Sequence, residues 1–153
     1  MDSESTLTMK PLFFLAAALL TQTVSPIRPD ATLTPGATLD VTSADFCVSG
    51  YTARVRKVSA KTKREVYAEY HITPTRGAYE VDHLIPLELG GSNAIGNLWP
   101  EAIGGSEWDA HRKNKLENRL HKLVCGGQAD MATTQREIAS DWIAAYRKYF
   151  PNG

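Results

Sequence analysis

From Glu80 to Pro100 the chain reads Glu-Val-Asp-His-Leu-Ile-Pro-Leu-Glu-Leu-Gly-Gly-Ser-Asn-Ala-Ile-Gly-Asn-Leu-Trp-Pro. Asp82 and His83 put a hard anionic ligand next to an imidazole, a base that titrates at about 6.5 and can take a proton from water at neutral pH. Gly90-Gly91 supplies a turn, and Asn97 follows His83 by fourteen residues. A base beside a carboxylate is equipment for activating water. The plainer alternative makes Asp82-His83 a structural ion pair and Gly90-Gly91 an ordinary hairpin turn, and leaves their joint spacing to coincidence.

Short elements must position these residues. Tyr79 to Ile85 is rich in β-formers and bounded by Pro86, so it reads as a strand; Gly90 to Asn93 is a turn, and Asn97-Leu98-Trp99 before Pro100 a second strand. After Gly104-Gly105 the spacing predicts a helix from Trp108 to Val124, with Leu116, Leu120, Leu123 and Val124 on one face and His111, Asn114 and Asn118 opposite. A helix from Thr133 to Tyr149 buries Ile138, Trp142 and Tyr146, and an earlier one, capped by Ser59, runs to about Tyr70. Neighbouring residues on a regular strand point to opposite faces, so Asp82 and His83 cannot both face one ion unless the strand end twists.

The pattern Asp-His-x-x-Pro, Gly-Gly and Asn-Leu, on strand, turn and strand, resembles the HNH endonuclease family. The resemblance implies an α+β fold: a ββα-metal (HNH) core of a short two-stranded hairpin and a helix, packed with additional helices. It implies His83 as general base, Asp82 as metal ligand and Asn97 as the residue that holds the loop and the histidine in place. The cofactor it implies is a divalent cation, Mg²⁺ or Mn²⁺, with a third ligand from the helix. Asn114 and His111 lie one turn apart on the same helix face and both qualify, with Glu117 at its edge. Cys47 to Arg56 and the tail from Leu116 to Tyr146 also resemble small exported HNH-like proteins.

The 153 residues carry no net charge, and removing residues 1–23 leaves 16 basic against 15 acidic side chains, so global charge gives no argument for a nucleic-acid partner. Local clusters do: Arg54, Arg56 and Lys57 in one stretch, Arg112, Lys113 and Lys115 in another. Either cluster could equally be a solvated helix face. His71 reads as a helix cap and His121 as a packing residue, and Trp99, Trp108 and Trp142 as core.

Lys10, the apolar run Pro11 to Leu20 and the polar Thr21-Gln22-Thr23 predict a signal peptide over 1–23, which fits better if translation starts at Met9. Residues 24–40, rich in Pro, Thr, Ala and Gly, read as a linker, and 41–150 as the nuclease domain. Export to the periplasm or the medium makes a Cys47–Cys125 disulfide the expectation, with two buried free thiols as the alternative. The leading function is a metal-dependent endonuclease acting on DNA, or on RNA. Its rival is a non-catalytic exported nucleic-acid-binding module on the same scaffold.

Overall fold

The computed structural model describes residues 27–152; the expected signal segment lies outside them. Five helices and one two-stranded antiparallel sheet make a mixed α+β architecture among these residues. Strand β1 (Tyr79–His83) pairs with β2 (Leu98–Ala102), with Asp82 opposite Trp99 and His83 opposite Leu98. Helix α3 (Ala60–Glu69) lies against β2, and α4 (Ala110–Cys125) packs on α5 (Met131–Tyr149). Two short helices that composition did not foretell, α1 (Ser43–Phe46) and α2 (Tyr51–Val55), precede them.

The second strand begins later and runs further than expected. Asn97 closes a 3-10 turn, Ile95–Asn97, and β2 continues through Pro100. The bonds Leu84 N to Asn97 O and Ile103 N to Ala78 O set the ladder so that Pro100 faces Val81 in a non-hydrogen-bonded pair. A proline there forfeits no ladder bond. Between the strands, Gly91 lies so close to the preceding turn that a Cβ would sit 1.8 Å from Ile85 O, so only glycine fits.

Helix ends follow local chemistry. Ser59 Oγ accepts from Thr62 N and caps α3; Asp109 Oδ1 accepts from Arg112 N and starts α4 two residues after Trp108. In α5 the backbone leaves helical geometry at Asp141, whose Oδ1 accepts from Ile143 N and Ala144 N and caps a second start. The expected unbroken helix is therefore kinked.

The main core joins Leu116, Leu120 and Val124 of α4 to Ile138, Trp142 and Tyr146 of α5, with Phe46 and Ile85. A smaller cluster, Val66, Tyr70, Leu84, Leu98 and Trp99, fills the space between α3 and the hairpin. The Cys47–Cys125 disulfide ties α1 to the end of α4. Among the described residues no helix is long and apolar enough to cross a membrane.

The described part of the expected linker belongs to the domain. Thr34 is buried, and its hydroxyl donates to Leu98 O while pairing with Tyr70 Oη. Trp142 Nε1 donates to Ile27 O, Arg28 makes two bonds to Asp141, and Thr38 bridges to Gly91. Small polar residues without period suggest a linker, yet their hydroxyls and backbone close the domain edge.

Candidate active site

His83 ends β1 and is 2% exposed. Its Nε2 lies 3.1 Å from Asn93 Oδ1. The orientation of that amide is fixed independently, because Asn93 Nδ2 donates to Val55 O and Lys57 N donates to Asn93 Oδ1. Asn93 therefore accepts from His83, the proton sits on Nε2, and the lone pair is on Nδ1, which is buried and has no hydrogen-bond partner. Burial pulls the imidazole pKa below its ordinary value against the opposing Asn93 bond and Asp82 charge, so the ring is neutral at pH 7. A neutral imidazole with a bare nitrogen can accept a proton.

Asn97 is fully buried beneath the loop. Its Nδ2 donates to Ile85 O and Ser92 O, both at 2.9 Å, and its Oδ1 accepts from Ile85 N and, from outside the loop, Ala37 N. One side chain thus closes residues 85–92 into a fixed ring next to His83. This geometry is what a loop-holding asparagine requires.

Asp82 points away from its neighbour, as strand alternation demands, and meets α4. Lys113, 0% exposed, places Nζ 2.5 Å from Asp82 Oδ2 and 2.7 Å from His83 O, and also donates to Glu117 Oε1. All three ammonium protons are used. Burial pushes the Asp82 carboxyl up, but the charge and hydrogen bond of Lys113 outweigh it and hold it below the usual range. Burial likewise opposes the charged form of Lys113, yet Asp82, Glu117 and Glu101 raise its pKa further above that of a free lysine. Glu101 and Glu117 go the other way: burial pushes them up to about 9 and about 8, against the pull of Lys113. At neutral pH the cluster is then one ion pair with two neutral carboxyls beside it.

The remaining candidates fall elsewhere. Asn114 is exposed and lines a cleft of about 170 Å³ with Arg56, Glu88, Glu117 and Asn118. His111 is exposed on α4. Neither reaches Asp82. Arg54 and Lys57 are exposed with Arg56, whereas Arg112 stacks over Trp108 and Tyr146 at 5.3 Å from each centroid, and the exposed Lys115 lies over Phe150. Lys113 is corrected outright: grouped by sequence with the surface cations, it is sealed inside the fold and has no proton left for a phosphate.

The residues missed are Asn93, Glu101 and Lys113. Only Lys113 carried a signal: with Leu116, Glu117 and Leu120 it occupies the buried stripe of α4, so a charge at its position needed an internal partner.

A divalent ion implied by the HNH resemblance does not fit this arrangement. The ammonium already stands against the Asp82 carboxylate; Asn114 and His111 point elsewhere; Glu117, the third helix candidate, meets Asp82 only through Lys113; and among the described residues no group of three His, Cys, Asp or Glu side chains is disposed to hold a metal. Comparison with family models, curated proteins and solved structures gives no match.

Proposed function

We propose that this chain is an exported phosphodiester hydrolase of nucleic acid, DNA first and RNA second, with His83 as general base. The observation that carries this reading is the buried, unpartnered Nδ1 of a histidine whose tautomer Asn93 dictates, beside a loop bracketed by Asn97. In the reaction His83 Nδ1 takes the proton of a water whose oxygen bonds to phosphorus as the bond to the departing sugar oxygen breaks; that oxygen takes a proton from solvent water, and the imidazolium returns its proton to solvent. The cleft bordered by Arg56 and Asn114 offers a cation and an amide for the phosphate backbone. The disulfide supports an oxidising compartment, the periplasm or the medium. The divalent ion implied by the resemblance enters no step of this derivation, because Lys113 holds Asp82.

A second reading, a non-catalytic nucleic-acid-binding module, is favoured by the near-complete burial of His83. Incubating the purified oxidised protein and His83→Ala with plasmid, single-stranded DNA and RNA, with Mg²⁺, Mn²⁺ or EDTA, separates the two. Cutting that disappears in the variant supports the hydrolase. Salt-sensitive binding without cutting by either protein supports the module.

A further inference from the structure

We propose that the Lys113 ammonium is this protein's built-in cation, standing against Asp82 where a ββα-metal site would hold its divalent ion, so that the native protein takes up no divalent ion there. The inference rests on the candidate site described above for its location, and on the geometry of that site for its content.

Three observations carry it. Lys113 has no solvent exposure, and each of its three protons points at an oxygen: Asp82 Oδ2, the His83 carbonyl and Glu117 Oε1. A lysine side chain is ordinarily kept at the surface, because burying an ammonium without full compensation is costly; here compensation is complete. Secondly, α4 dictates the placement. Lys113 and Glu117 are one turn apart on the stripe that also carries Leu116 and Leu120, so helix packing delivers the ammonium and its second side-chain acceptor to β1 together. Thirdly, the oxygen a divalent ion would need is taken. A Mg²⁺-like ion binds carboxylate oxygen at about 2.1 Å, and Nζ is already 2.5 Å from Asp82 Oδ2. An incoming dication would have to break three charge-assisted bonds and then share the pocket with the displaced ammonium.

The consequence is a covalently tethered positive charge paired with the Asp82 carboxylate, with the carboxyls of Glu101 and Glu117 beside it. Glu101 has a buried Oε1 with no hydrogen-bond partner beside this cluster. Removing the ammonium would free two oxygens that it now occupies, Asp82 Oδ2 and Glu117 Oε1, for an incoming cation.

The test is a titration of Mn²⁺ into the ¹⁵N-labelled oxidised protein, read as paramagnetic loss of amide signals. In the wild type the amides of Asp82, His83, Lys113 and Glu117 are expected to lose no more intensity than the rest of the chain. Their selective loss at substoichiometric Mn²⁺ overturns the proposal. Lys113→Ala is expected to gain that selective loss at the same amides; a folded Lys113→Ala that fails to gain it also overturns the proposal. Should that variant not fold, the wild-type spectrum decides alone. Cleavage activity plays no part in this readout, so a chain that cuts nothing can still uphold the built-in cation, and a chain that cuts can still refute it.

Discussion

Asn97 grips Ile85 from both sides, donating from Nδ2 to its carbonyl and accepting at Oδ1 from its amide, each at 2.9 Å, while the same Nδ2 reaches Ser92 O. The loop between His83 and β2 is therefore closed by a buried amide rather than by sheet pairing. In Asn97→Ala these three backbone groups lose their partner inside the protein, at about 1–3 kcal/mol for each that stays unsatisfied. Urea unfolding should register a loss of at least ~3 kcal/mol, against near-neutral change for the exposed Asn114→Ala. A small loss for Asn97→Ala would mean that water replaces the bracket.

If His83 is the base, its neutral form is the active one, and its pKa lies below the ordinary histidine value because the ring is buried. The cleavage rate should therefore rise with pH through a midpoint below about 6.5 and be flat by pH ~7. His83→Ala should lower the rate by roughly 10²–10⁴-fold. A rate that keeps climbing through pH ~8 would assign the titration to another group.

Glu101 and Glu117 bind protons in the folded state up to about 9 and about 8, whereas in the unfolded chain they release them near ~4.3. Between those limits the folded state holds more protons, so stability falls as pH rises. The depressed Asp82 and His83 act in the opposite sense, but only below about 6.5. The melting temperature should thus decline from pH ~6.5 to ~9, and Glu101→Gln should flatten the decline. A melting temperature that rises across that window would show both carboxyls to be ionised.

Lys113 and Asp82 form a buried pair, and removing one partner strands the other. Lys113→Met alone should cost about 3–5 kcal/mol in denaturant unfolding, while Asp82→Asn combined with Lys113→Met should recover much of that. Equal losses for the single and double variants would argue that the pair contributes only through packing.

The Cys47–Cys125 bridge spans 78 positions of sequence, and reducing it should remove ~4 kcal/mol, on the chain-entropy account. Cys47→Ser/Cys125→Ser should keep its far-ultraviolet dichroism near native in dilute buffer and unfold at markedly lower urea. Unchanged stability would place the restraint in the packing of α1 against the loop instead.

The sequence by itself determined the local units. Turn residues and β-formers marked strand, loop and strand around His83; the stripe Leu116, Leu120, Val124 marked the buried face of α4; and two cysteines made a disulfide the expectation over free thiols, which the structure bears out. These are decided by short-range sterics and by periodicity, which a sequence displays directly. Asn97 as a loop holder followed from resemblance alone, and its geometry suits that role.

Only the tertiary structure decided which polar groups meet. Lys113 is a charge among charges in sequence, and its neighbours suggested a surface patch. Its role depends on how α4 lies across β1, which brings together residues 31 apart. The same holds for Asn93, which links His83 to the end of α2, and for residues 27–40, whose hydroxyl and backbone bonds close the domain where composition suggested a linker. Long-range hydrogen bonds and ion pairs carry no periodic signature; they exist only once hydrophobic packing has set the distance and removed the water that would otherwise satisfy each partner separately.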